Sequence, residues 1–359
     1  MPGMVYMMTN MEVTNQVVAF YRDKNGMLTF VGSSPTHGIG TGAREVSAAT
    51  TNDGIDPLAS QGSLALSPVG RFLFAVNAGS NSISSFILTN NGIPVLADVK
   101  PSGGAQPNSI TVFGNLLYVS NVGNAANNYA SNITGFRVDN NGHLNPISGS
   151  THSLSTINAQ PSQILFNLDG SRIVVSELTT GHLSIFYVNQ DGTVTGPIIN
   201  ESNGLHPFGS LFLSSGVFLV TEEGSNALSS YSMSRDGRLT VISGSVPTGQ
   251  KATCWVVTTR NEQFAYASNT LSGTIATYRI DSNGALTFVR NIASTPAGMP
   301  TGRPIDIGVS KDGRYFYTLN GNQGTVSVFH INDDGNLDHL QVAAWTNMPY
   351  FGSQGLAVL

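Results

Sequence analysis

Seven times along this chain an aromatic residue is followed six positions later by a glycine, and Asn or Asp precedes each of those glycines. The pairs are Phe20 and Gly26, Phe86 and Gly92, Phe136 and Gly142, Phe186 and Gly192, Tyr231 and Gly237, Tyr278 and Gly284, and Phe329 and Gly335. A spacing kept through seven copies marks one supersecondary unit repeated, about 51 residues long in a chain of 359. The segment before each glycine reads as a strand (SISSFIL, TIATYRI, TVSVFHI). The Asn-Gly or Asp-Gly is expected to turn it into a hairpin, because those residues tolerate positive φ. A bulkier strand lies upstream (RFLFAVN, GVFLVTE, RYFYTLN), preceded by a short one (SLALS, QILFN, DIGVS). Four strands per unit and seven units predict an all-β chain: a seven-bladed β-propeller with four antiparallel strands per blade, one domain over residues 1–359. No long window carries a helical period.

The first unit lacks its leading strand and the last has one to spare. Residues 352–359 (GSQGLAVL) resemble 60–67 (SQGSLALS), the leading strand of the second unit. The C-terminal strand is therefore expected to join the N-terminal blade and close the ring, hiding two sheet edges. A closed ring needs no partner to fold, so a monomer is expected.

Charge narrows the partners. Only 10% of residues are charged and the net charge is −5, with no clusters of Lys or Arg. That composition excludes nucleic acid and an anionic membrane surface as partners, and no apolar run is long enough to span a bilayer. One cysteine forms no internal disulfide. The opening MPGMVYMMTN lacks the basic region and apolar core of a signal peptide. Few lysines and two sequons, at Asn132 and Asn200, lean toward a secreted or periplasmic protein whose leader has been removed; otherwise the chain reads as cytoplasmic.

In a propeller the loops between second and third strands share a face with the blade-to-blade connections, around the mouth of the central channel. The residue closing each second strand is Asn10, Asn77, Asn121, Glu177, Glu222, Asn269 or Asn320. Two carboxylates thus break a run of asparagines on the face expected to carry function, which singles out Glu177 and Glu222 as catalytic candidates. The adjacent Glu223 is expected to point elsewhere. His206, before Pro207-Phe208-Gly209, is a candidate acid or base. Lys251 and Arg303 sit just before leading strands, where either could anchor an anionic group. Arg44 and Gln61 in the connections, with Asn77 and Asn121 on the ring of strand ends, complete the candidate substrate contacts. The connections also hold Glu45, Asp56 and Gln160. Tyr129, Phe208, Trp345 and Tyr350 are aromatic candidates for stacking on a sugar ring. There is no HExxH, no Cys/His set for zinc, no calcium loop and no GxSxG elbow, and the glycines at 38–42 precede no helix, so a reaction without metal or cofactor is expected. Cys254 is expected to be a buried small hydrophobe.

Residues 66–84 (LSPVGRFLFAVNAGSNSIS) and 307–320 (IGVSKDGRYFYTLN) resemble the blade pattern of the lactonase-family seven-bladed propellers, over essentially the whole chain. That family includes bacterial 6-phosphogluconolactonase and the fungal 3-carboxy-cis,cis-muconate lactonizing enzyme. The resemblance implies metal-independent chemistry on a lactone ring, hydrolytic opening or closure of a muconate, with a small lactone or sugar acid as substrate. It also implies a catalytic glutamate at Glu177-Leu178. The family's Gly-Pro-Arg-His segment is replaced here by Ala159-Gln160-Pro161-Ser162-Gln163, with neither cation nor base. The readings that follow are a lactone-acting enzyme with Glu177 as base, Glu222 or His206 as acid and Arg303 or Lys251 as anchor; a non-catalytic propeller that binds a glycan or a protein; and, ranked last, an inverting glycosidase using the carboxylate pair.

Overall fold

The hairpin glycines set the frame. All seven take positive φ, between 75° and 88°, but the Asn or Asp before each does not. In the first of these turns the Gly26 N–H donates to the Asp23 carbonyl (3.2 Å) and the Asp23 N–H to that of Met27 (3.0 Å). Asp23 Oδ1 meanwhile accepts the N–H groups of Asn25 and Met27. This is a type I turn closed by one left-handed glycine, not the two-residue Asn-Gly turn the dipeptide suggested. Asp139, Ser234 and Asp281 cap the third, fifth and sixth hairpins from the same place, whereas in the second, fourth and seventh the residue directly before the glycine, Asn91, Asp191 or Asp334, accepts the N–H.

The computed structural model describes residues 3–47 and 53–359. Its strands form seven antiparallel sheets in sequence order, apart from the first, where Leu356–Val358 lies beside Gly3–Met8, followed by Gln16–Arg22 and Leu28–Pro35. The C-terminal strand thus supplies the leading strand of the first blade, as the tail resemblance predicted. The leading strands of all seven blades touch in a closed ring around the axis. Among the described residues the one helical element is a single turn, Ala125–Asn127.

The core lies between blades. The repeated aromatics from Phe20 to Phe329 are all buried, as are nearly all second-strand side chains. Tyrosines of second strands staple neighbouring blades at the hairpins. Tyr6 Oη donates to the Gly92 carbonyl (3.0 Å), Tyr118 to Gly192 (2.6 Å) and Tyr266 to Gly335 (3.1 Å). Buried phenols need such partners, so the staple ties these three hairpin glycines to the blades before them. The ring seam between the last and first blades carries an ion pair, Arg22 to Asp312 at 3.2 Å.

The second sequon is structural. Asn200 is buried, its Nδ2 donates to the Gly237 carbonyl (3.0 Å) and its Oδ1 accepts the Leu239 N–H. A side chain held this way presents no nitrogen for glycosylation in the folded protein. Asn132 likewise accepts from Asn121 Nδ2 at 2.8 Å.

Candidate functional site

Five leading strands begin with a bulge, where register slips between Pro107 and Ser109, Pro161 and Gln163, Pro207 and Ser210, Thr253 and Val256, and Ile305 and Ile307. A bulge re-aims side chains, and here the residues thrown out of register include Asn108, Ser162, Phe208, Cys254 and Asp306. The long connection from the first to the second blade runs into the ring they make. Asn108 Nδ2 holds the Leu58 carbonyl (3.2 Å), Trp255 Nε1 and Gln354 Nε2 hold the Ser60 carbonyl (3.1 and 3.0 Å), and the Gln61 N–H reaches the Ser162 carbonyl. Residues 58–62 therefore plug the channel. Gln61 is part of that plug rather than a substrate contact, because Val256 takes both ends of its amide. Gly209 makes room, since a Cβ there would collide with Gln61 Oε1.

A cavity remains above the plug, lined by Asp53, Asp56, Glu223, Phe208, Cys254 and Thr270, with Ile55, Leu178, Ala252 and Leu271 as apolar wall. It offers about 40 Å³, enough for water. Asp56 is half-buried; its Oδ1 is shut off from solvent and has no hydrogen-bond partner among the described residues. Burial, the Asp306 carboxylate and Glu45 push its pKa well above the carboxylate range. Asp306 is buried, accepts the Gly355 N–H at 2.7 Å, and is raised by burial to about 7. Glu223 faces the cavity, contrary to the sequence expectation, and its Oε2 lies 3.0 Å from His206 Nδ1. His206 holds a left-handed backbone (φ 56°) that puts its ring over Gly224. Asp53 pairs with Arg303 at 2.7 Å on the rim. Cys254 is buried with its thiol pKa pushed up by burial and by the Glu223 and Asp56 carboxylates; it is not poised as a nucleophile. Among the described residues no three His, Cys, Asp or Glu converge closely enough to hold a metal ion.

Glu177 and Glu222 lie elsewhere. Both are fully buried and do for their blades what asparagine does for the others. Asn77 Nδ2 donates to Ser84 Oγ, and Asn320 Nδ2 to Ser327 Oγ, each seven residues on. At the same offset Ser184 Oγ and Ser229 Oγ turn round and donate to Glu177 and Glu222, both at 2.6 Å. Glu177 further accepts from the Ser155 N–H and hydroxyl and from Thr180; Glu222 accepts from the Gly204 N–H, Ser202 and Ser245. Each carboxylate latches the connection that enters its blade through four donors. The break in the asparagine rule is a change of hydrogen-bond polarity, met by rotating one hydroxyl. Asn77 and Asn121 are fully buried in the same latch and present nothing to a substrate. Lys251 and Arg44 are exposed, and Arg303 is half-buried in its pair with Asp53. Phe208 packs edge-on against Trp255 and Trp345 stacks on Phe30, whereas Tyr129 and Tyr350 are exposed.

Asp56 was within reach of the sequence as an acid in a connection. Glu223 and Asp306 were not, because their placement depends on a strand end and a bulge.

A sequence profile of the lactonase family, seven-bladed β-propellers, matches residues 2–153, 209–303 and 255–349. The chain belongs to that family. It is 23% identical over 277 residues to a 6-phosphogluconolactonase of Buchnera aphidicola, covering 74% of this chain and 79% of that one. It is 25% identical over 289 residues to a 6-phosphogluconolactonase of Formosa agariphila, covering 77% and 70%. Among solved structures, the periplasmic gluconolactonase PpgL of Pseudomonas aeruginosa superposes with a TM-score of 0.76 at 16% identity, covering 100% of this chain and 99% of that one, which is a likeness of fold.

Proposed function

We propose that the protein hydrolyses a small lactone at the mouth of its channel. One observation carries the reading. Asp56 places a partnerless carboxyl oxygen beside a cavity that Glu223, held by His206, also lines. Water-driven ring opening needs those two functions, a base for the water and an acid for the leaving oxygen. Glu223 takes a proton from water and the hydroxide adds to the lactone carbonyl. The ring C–O bond then breaks, and the departing oxygen takes the proton of Asp56, whose pKa is raised in favour of the protonated form. Solvent reprotonates Asp56 and relieves Glu223, and the new carboxylic acid ionises. His206 is the positioning residue for Glu223, and Glu177 and Glu222 hold the loops. The cavity admits water while the ring lies across its mouth, beside Leu271, the exposed apolar residue of its lining. Family membership and the named lactonases among its relatives support the reaction class. Hydrolysis is preferred to muconate closure because carboxylates line this cavity and a tricarboxylate would meet them unpaired.

Proton release in weak buffer against a panel of lactones tests the reading, with Glu223→Gln and Asp56→Asn beside the native protein. Turnover lost in both variants, with unchanged melting, supports it. Full turnover in both removes these residues from the chemistry.

A further inference from the structure

Charge is distributed unequally between the two faces of the disc. Of the sixteen Lys and Arg residues, eleven lie on the hairpin side and four on the mouth side: Arg44, Lys251 and Arg303 in its loops and Lys100 at a strand end. Nine of the 21 acids lie on the mouth side, in its loops and strand ends. The hairpin side balances its charges, with eleven acids, so the negative charge of the whole chain is a property of the mouth. Residues 48–52 read Ala-Ala-Thr-Thr-Asn and add none.

The cavity sharpens this. Asp53, Asp56 and Glu223 line it, and no lining residue is Lys or Arg. Arg303 is tied to it through Asp53, which its guanidinium holds at 2.7 Å. Asp56 is the protonated acid of the reading above, so the field inside this concave site is set by Glu223 and by Asp53 in its pair. A phosphate ester inside the cavity meets those carboxylates, and no Lys or Arg lines the wall to pair with it. A polyol meets something more useful, since a paired guanidinium and carboxylate offer donors and acceptors side by side without net charge.

Resting on the hydrolase reading above, we propose that the substrate is an uncharged lactone, such as an unphosphorylated sugar lactone, and that the acidic mouth with its Asp53–Arg303 pair excludes phosphorylated lactones. In this the chain departs from the 6-phosphogluconolactonases it resembles.

The test compares kcat/KM for glucono-δ-lactone and for its 6-phosphate, each above its spontaneous rate, at about 20 mM and about 0.5 M salt. The plain lactone should be preferred by at least about tenfold at low salt. High salt should narrow the ratio, and so should Asp53→Asn, which removes one negative charge and releases Arg303. Equal or better turnover of the phosphate ester at low salt overturns the proposal, as does a ratio that neither salt nor Asp53→Asn moves. If Asp53→Asn does not fold, the salt series on the native protein decides. Turnover of neither lactone overturns the hydrolase reading itself, and this proposal with it.

Discussion

Gln61 crosses the channel to Val256. Its Nε2 donates to the Val256 carbonyl over 3.1 Å and its Oε1 accepts the Val256 N–H over 3.0 Å, joining positions 195 apart in sequence. One side chain from the connection between the first and second blades thereby completes the backbone pairing that the bulge in the sixth blade leaves open. Gln61→Ala should cost about 1–3 kcal/mol, because two partly buried backbone groups lose their partners. Denaturant unfolding reads this. An unchanged midpoint would mean that water replaces the amide without cost.

Neighbouring glutamates should behave oppositely. Glu222→Gln and Glu177→Gln keep one oxygen for the N–H groups of Gly204 and Ser155, but set an amide NH2 against hydroxyls that now donate, Ser245 in one case and Ser155 and Thr180 in the other. Each variant should lose about 1–3 kcal/mol of stability while kcat stays within about threefold. Glu223→Gln should melt normally and lose about 10²-fold or more in kcat. Thermal melts beside initial rates separate the two patterns.

Asp56 predicts an alkaline limb. A general acid works while protonated, so kcat should fall as pH rises through the raised pKa of Asp56. Asp56→Asn should lower kcat by about 10²–10³-fold and abolish that limb. A pH–rate profile of both proteins checks it, and a limb that persists in the variant would assign the proton elsewhere.

Asp306 predicts the pH dependence of stability. Its pKa is raised in the folded state, from 3.8 to about 7, so the folded protein binds the proton more tightly. That contribution is complete below the unfolded pKa and is lost as pH rises through the folded one. Stability should fall between about pH 4 and 7, by at most about 1.4 kcal/mol per pH unit from this group. Asp306→Asn should be less sensitive across the window and melt higher than the native protein at pH 8. Equal melting temperatures at pH 8 would contradict the assignment.

Removing residues 354–359 takes the leading strand from the first blade and Gln354 from the plug, where its Oε1 accepts the Leu58 N–H at 2.7 Å. The truncated chain should expose the edge of Gly3–Met8 and aggregate. A monomer with an unchanged melting temperature by light scattering and calorimetry would show that the ring does not depend on this closure.

The aromatic-to-glycine spacing determined the fold by itself, because hairpin glycines and second-strand runs are local signals that a period of about 51 residues repeats seven times. The resemblance of residues 352–359 to 60–67 likewise foretold the closure. The site was less legible. Sequence alone marked Glu177 and Glu222 as departures from the asparagine rule, and they are, but a serine hydroxyl rotates as readily to donate as to accept, so the same latch is kept with its polarity reversed. Only the tertiary structure decided that Glu223 faces the cavity and Glu222 does not. Adjacent residues at a strand end point to opposite sides, and which side is the channel depends on how seven sheets close around a plug drawn from a distant connection. Bulges at the starts of the leading strands set the remaining positions. They have no fixed sequence signature, which is why Asp306 and its raised pKa emerged only once the blades were assembled.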